Sequence, residues 1–340
     1  MLKELQEKLS LIEEKNTYLY FITRVLKPDV KKSSRMLDKF LFKVYQVDIN
    51  DEIREHLYKL THNQLISLSN KKTELRDYDV ITDDTEQLFT YQMKNKMMSF
   101  ADVVYNQLIS HPPKIQSLAE IISNEELWAY CVGFYNTPGD WLYTFRKILP
   151  GKVAIDENQK NSKKWFQKII RTRFNTNSQK LELIYGDTIN LDKQVDCIYY
   201  NDVFYIAKKT QFEQIVGLEE EFKVLAREVV DKLANTKMII GIDLIMSKIE
   251  KHSPIHKKLV KLSKIGNYES LDEVSIMRMQ EICKQFGDNL KVKNGMLLIE
   301  DDKDIDLTLK MLSDYYKRGE VSGKAYGTFA GRQLISKEVN

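Results

Sequence analysis

The sequence predicts an α+β protein with an N-terminal α/β portion, a central antiparallel β meander and a helical C-terminal half. Three observations carry that reading. Val195, Ile198, Tyr199, Tyr200, Val203, Phe204, Tyr205 and Ile206 crowd into twelve positions, the densest β-forming run of the chain. Asn201-Asp202 interrupts this run with residues that tolerate the left-handed conformation of a tight hairpin turn. Beyond Gln211 the apolar spacing becomes helical. Because apolar residues occur in both parities, the hairpin 195–200/203–208 is expected to be covered on both faces.

Taken in order, residues 2–15 read as a helix with Leu2, Leu5, Leu9 and Ile12 at spacings of three and four. Two heptads are too few to hold a coiled coil alone, so this seam is read as packing on its own domain. The same residues offer a route to self-association. Thr17–Val25 and Phe40–Ile49 read as strands, joined by a polar loop through Pro28, Lys31, Lys32, Ser33 and Ser34. Asn50 or Asp51 caps a helix reaching about Leu68, with Ile53, Leu57, Leu60 and Leu65 on one face. Residues 70–87, rich in Asp, read as a solvated loop lacking calcium-loop spacing, and 86–110 as helix. His111-Pro112-Pro113 marks the expected boundary between a domain at 1–113 and a core at 114–340.

The core opens with strand candidates Leu127–Tyr135, Trp141–Ile148, Trp165–Phe174 and Leu181–Tyr185, giving a meander over 127–209. A helical region at 210–318 has spans near 211–216, 218–235, 242–251, 255–265, 272–286 and 303–317. It contains a short strand pair turning at Lys293-Asn294-Gly295. A Gly-rich tail occupies 319–340. No internal repeat is visible.

At 340 residues there is room for one large or two medium domains. The 52 basic and 49 acidic residues nearly cancel, so the placement of charge matters more than its sum. Cys131, Cys197 and Cys283 lie in apolar surroundings at spacings that fit neither a disulfide framework nor a zinc set, and are read as buried thiols. The N-terminus has no signal-peptide plan and no run is apolar enough to span a bilayer, which points to the cytosol.

The clearest charge feature is 160–180. It carries Lys160, Lys163, Lys164, Lys168, Arg171, Arg173 and Lys180 and no acidic residue. On a strand, Arg171 and Arg173 share a face, a fixed spacing that suits phosphates, and Trp165, Phe166 and Phe174 offer stacking surface. The competing reading is a solvated sheet face. Lys257, Lys261 and Lys264 form one face of a helix opposite Leu259, Val260 and Leu262, which a plain amphipathic helix also explains. Lys317, Arg318, Lys324 and Arg332 stand among glycines, which let a backbone approach phosphate closely, in a pattern that matches neither a Walker loop nor a dinucleotide fingerprint. A metal-dependent nuclease would draw on Asp187, Asp196, Asp202 and Lys208, but their spacing is poor for it. Asp202 reads better as a turn residue and Asp196 as a strand-edge polar group. Pro254 breaks the His252/His256 spacing that a metal pair needs. No cofactor is expected.

Two blocks carry a family resemblance. One is Val-Asp-Cys-Ile-Tyr-Tyr-Asn-Asp-Val-Phe-Tyr-Ile at 195–206, followed by Phe212-Glu213-Gln214-Ile215 and an acidic helix start at 219–221. The other is Leu312–Tyr326. Both resemble the KwaB-like family of bacterial Kiwa anti-phage proteins, over roughly 125–334. The resemblance implies a cytosolic DNA-binding effector that restrains phage DNA and works with a membrane-embedded KwaA-like partner. It supplies no contact motif, so the candidate residues rest on charge and spacing: Lys163, Lys164, Lys168, Arg171 and Arg173, with Lys257, Lys261, Arg318 and Lys324 secondary. A homodimer or higher oligomer is expected. The alternatives are the nuclease and an adaptor that binds the membrane partner but not DNA.

Overall fold

The computed structural model describes residues 2–27, 40–70, 74–80, 87–93, 99–135, 140–149, 153–154, 172–175, 180–183, 188–191, 193–251, 253–265, 268–269, 271–319 and 321–328. Two compact units emerge: Met1–Tyr78 with Asp84–Gly217, and Asp79–Asp83 with Leu218–Asn340. Among the described residues no helix is long and apolar enough to cross a membrane.

The first unit begins with α1 (Leu2–Ser10), β1 (Thr17–Leu26), β2 (Phe40–Val47), α2 (Asp51–Asn70), β3 (Glu74–Asp77), β4 (Gln87–Gln92) and α3 (Ser99–Asp102). A π-helical turn (Val103–Gln107) and α4 (Leu118–Asn124) lead to β5 (Glu126–Tyr135) and β6 (Trp141–Lys147). The short strands β7 (Val153–Ala154), β8 (Thr172–Asn175), β9 (Lys180–Leu183) and β10 (Thr188–Ile189) precede β11 (Cys197–Tyr200), β12 (Val203–Ile206) and α5 (Lys209–Val216). Eight strands form one sheet in the order β2-β1-β5-β6-β11-β12-β4-β3, antiparallel except for β3 on β4. Of the expected meander, β5, β6, β11 and β12 form the centre of this sheet, whereas β8 and β9 pair in a two-stranded sheet of their own, and residues 1–113 supply both edges. The Pro112-Pro113 pair lies inside this unit.

Hairpin β11–β12 turns where the sequence indicated, with Asn201 at φ 48° and Asp202 at φ 61°. It is covered on both faces. On one side Ile198 and Tyr205 join a core with Leu5 and Leu9 of α1, Leu57 and Leu65 of α2, and Phe21, Val132, Phe134 and Leu142 of the sheet. On the other, ring contacts of 5.3–5.9 Å run from Phe42 through Phe100, Phe145 and Phe204 to Phe212. Leu5, Leu9 and Ile12 are thus consumed by the protein's own core, at 1%, 0% and 2% exposure, which closes the self-association route through that seam.

Three local expectations are corrected. Residues 87–92 form a strand rather than a helix, because Leu88, Phe89 and Tyr91 fit the free edge of β12, with Phe204 opposite Tyr91 and Ile206 opposite Phe89. Part of the acidic loop pairs as β3 on β4. Ile53 does not line the buried face of α2: it is 40% exposed, and Thr61 is buried beside Leu57 and Leu65 instead. The cap does hold, with Asn50 Oδ1 accepting from the Ile53 N–H at 3.0 Å. At the β2 edge, the Gln107 amide accepts from Val44 N–H and donates to the Phe42 carbonyl, both at 2.9 Å. A side chain there occupies the ladder positions of a missing strand.

The second unit contains α6 (Leu218–Asn235), β13 (Ile239–Ile240), α7 (Ile242–Lys251), α8 (Ser253–Ile265), α9 (Glu273–Gln285), β14 (Val292–Lys293), β15 (Met296–Leu298), α10 (Asp302–Leu312), β16 (Tyr316–Arg318) and β17 (Ala325–Gly327). The helices pack a core of Val230, Leu233, Ile245, Ile249, Leu259, Leu262, Ile276, Ile305 and Leu309. Turn Asn294-Gly295 joins β14 to β15 as expected, with φ of 52° and 74°. The sequence did not indicate β13, which lies parallel to β15. Gly241, at φ 85°, has no room for a Cβ against the Ile299 carbonyl.

Candidate nucleic-acid interface

Lys163, Lys164, Lys168 and Arg171 lie outside the described residues. Arg173 stands on β8 opposite Glu182 of β9, and Asn175 opposite Lys180. Of the expected strand Trp165–Phe174, residues 172–174 fall in β8, which runs on to Asn175.

Helix α8 begins at Ser253 and carries Pro254 in its first turn, where a missing N–H costs nothing. Its apolar face is as expected: Leu259, Val260 and Leu262 are buried. Lys257 and Lys261 are half-buried, while Lys264 is exposed. Lys258 pairs with Asp306 at 3.0 Å. His256 is buried with Nε2 2.7 Å from the Ile249 carbonyl, the place of a core histidine rather than a metal ligand. His252 lies outside the described residues.

Arg318 and Lys324 come together on the hairpin β16–β17, in place of the expected end of a helix and a Gly-rich tail. α10 stops at Leu312 because Asp314 takes a left-handed φ of 49° and Tyr316 opens a strand. The Tyr316 ring stacks 4.7 Å from Phe286, and its hydroxyl donates to Asp288. Arg318 sits opposite Ala325. The Gly319 N–H donates to the Lys324 carbonyl at 2.9 Å and the Gly323 N–H to the Gly319 carbonyl at 2.8 Å. Residues 321–328 are exposed, including Val321 and Tyr326. This is a solvent-facing ribbon with cations at its turn and an aromatic ring beside them, able to meet phosphate through side chains and close-approaching backbone.

Of the four nuclease residues, Asp196, Asp202 and Lys208 are described. Asp196 is fully buried, ion-paired to Arg146 and accepting from the Lys147 N–H at 2.7 Å. Its carbonyl takes the N–H groups of Ala207 and Lys208, both at 2.9 Å. It is a weld between β6 and the β11–β12 hairpin, which corrects the strand-edge reading. Asp202 occupies the turn and accepts from the Tyr199 hydroxyl at 2.9 Å, as a turn residue should. Lys208 is exposed, and Asp187 lies outside the described residues. No group of three His, Cys, Asp or Glu gathers as a metal set among the described residues. The three cysteines are buried thiols, and burial pushes Cys283 up to about 11.

Sequence reasoning missed the two cations that pack on Trp128 in the first unit, buried Lys147 and half-buried Arg24. Lys147 Nζ lies 3.5 Å from the centre of the Trp128 ring and donates to the carbonyls of Trp128 (2.9 Å) and Ile148 (3.1 Å). Arg24 places its guanidinium carbon 3.2 Å from the same ring. The available signal was parity: Trp141, Tyr143 and Phe145 put Lys147 on an apolar face. A cleft of about 250 Å³ is lined by Tyr45, Lys114, Ser117, Glu120 and Glu125. The buried Glu125 is already taken by Thr23, Lys43 and Tyr45. Burial, reinforced by the Glu125 charge, pushes Tyr45 up to about 12.

A family model described as "Kiwa protein KwaB-like" matches residues 124–322, more than half of the chain. No curated protein and no solved structure gives a match.

Proposed function

The chain belongs to the KwaB-like family of Kiwa proteins, and from that premise we propose that it holds duplex DNA through phosphate contacts, without strong sequence preference. Membership points to a component of Kiwa anti-phage defence; the DNA, and the restraint of phage DNA by it, are our reading. One observation carries it: seven cations and no carboxylate over residues 160–180 of a chain whose charges otherwise nearly cancel. The contacts are assigned to Lys163, Lys164, Lys168, Arg171 and Arg173, with Lys257, Lys261, Arg318 and Lys324 adding secondary ones. A KwaA-like membrane protein is the expected partner, which holds a cytoplasmic protein at the membrane's inner face, and the working form is a homo-oligomer.

The test is binding to a labelled duplex across a salt series, with and without magnesium. The expected result is intact DNA and an affinity falling steeply with salt, each neutralised phosphate adding roughly 0.9 to the slope. Replacing Arg171 and Arg173 together by Glu lowers affinity for all sequences alike. Loss of DNA only with magnesium overturns this reading in favour of a nuclease. Absence of binding at low salt leaves the adaptor.

A further inference from the structure

Helix α9 is fixed at its start by Asp272, whose carboxylate accepts from the Ser275 N–H at 2.8 Å. From there its apolar residues fall on two sides. Ile276 and Cys283 are fully buried, and Met279 and Ile282 pack against the same core of the second unit. Roughly opposite Ile276 and Cys283 on the helix stand Val274 and Met277, 75% and 62% exposed. A surface helix ordinarily turns its polar side to water. This one turns two large apolar side chains outward, three residues apart and therefore on one face.

The residues around that pair follow a heptad. With Val274 at position a and Met277 at d, Glu273 falls at g and Arg278 at e, both exposed. Where two such helices run parallel, g of one lies beside e of the next heptad in the other. That sets Glu273 beside the second copy's Arg278, and Arg278 beside its Glu273, on either side of the apolar pair. A β-branched residue at a, as Val274 is, also favours two strands. An antiparallel arrangement that brought Glu273 to Lys284 would instead lay Val274 and Met277 on the charged end of the face. The next a and d positions are Glu281 and Lys284, so the seam ends after one heptad. One heptad could not hold two isolated helices together, but each α9 is already anchored on a folded unit by its buried side.

We propose that α9 is a dimerisation surface, on which a second copy of this chain sets its own α9 parallel to the first about a two-fold axis. This deepens the homo-oligomer reading above and needs nothing from the DNA-binding one. It supplies a self-association surface where Leu5, Leu9 and Ile12 are taken up by the core.

The experiment is sedimentation equilibrium of the full chain over a concentration series, with charge reversals on α9. The wild type is expected to pass from monomer to dimer. Glu273→Arg and Arg278→Glu each set like charges together on both sides of the contact and weaken the dimer roughly tenfold or more. The double variant, Glu273→Arg with Arg278→Glu, restores the wild-type affinity, which a purely structural role for either side chain would not do. Val274→Ser with Met277→Ser leaves a monomer whose helix signal matches the wild type, since both positions face solvent in the single chain. Reversals that weaken the dimer without rescue by the double variant overturn the parallel pairing. A dimer that neither the reversals nor the serine pair disturbs overturns the inference and leaves the homo-oligomer reading standing. A wild type that stays monomeric at every concentration overturns both.

Discussion

Two hairpins of this protein share local chemistry and differ in what surrounds them. Both are tight returns with left-handed residues in the turn, at Asn201-Asp202 and at Gly323. Both belong to the sequence blocks that carry the family resemblance. Hairpin β11–β12 has β6 on one side and β4 on the other, and Cys197, Ile198, Tyr199, Phe204, Tyr205 and Ile206 are all buried. Hairpin β16–β17 forms a two-stranded sheet, held by Tyr316 on Phe286, and its second strand is exposed throughout. Local sequence makes a hairpin; neighbours on both edges and both faces make it a core. The first is where stability resides, and the second has surface to spare for a partner.

The largest effect that would break this contrast is a core deletion. Phe204→Ala removes a ring at 0% exposure that touches Phe145, Tyr199 and Phe212, and is expected to cost about 3–5 kcal/mol in urea unfolding. Asp196→Ala follows with a similar cost of about 3–5 kcal/mol, because it removes a fully buried carboxylate from its ion pair with the buried Arg146 guanidinium. If Asp196→Ala instead kept the wild-type midpoint, the weld would be idle and the nuclease reading would regain its carboxylate.

A smaller effect concerns pH. Burial alone would raise the Asp304 carboxyl, but Lys291 and the N–H groups of Glu300 and Asp301 outweigh it and hold it below the usual range. A depressed folded value means that this stabilisation is complete above the ordinary carboxylate pKa and is lost as pH falls through the lower, folded one. Acid melts of the wild type are expected to lose stability in that window, and Asp304→Asn to flatten that part of the profile. The smallest effect sharpens the comparison from its other side. Tyr326→Ala on the exposed ribbon is expected to change stability by no more than about 0.5 kcal/mol. A shift as large as that of Phe204→Ala would mean that the ribbon is part of a core.

Much of the secondary structure was legible from spacing alone. The β11–β12 turn, the strands β1, β2, β5 and β6, the helices α6 to α9 and the β14–β15 turn fall within a few residues of expectation. The amphipathic face of α8 was legible too, since its spacing alone sorts Leu259, Val260 and Leu262 from Lys257, Lys261 and Lys264. The candidate site was legible only as charge: the run 160–180 shows where cations gather, and not what they face.

Helices and tight turns close bonds between near neighbours, so their residues suffice to determine them. Strand pairing is settled by a distant partner. Residues 87–92 read as helix until the edge of β12 is there to receive them, and β13 is too short to be seen without β15. The same holds for Asp196, polar and unremarkable in the chain, which becomes a buried ion pair only when β6 brings Arg146 beside it. Composition and spacing determined the β11–β12 and β14–β15 turns, the helices α6 to α9 and the gathering of cations. Tertiary structure alone decided which strand lies next to which, and so which charges are buried and which are left facing solvent.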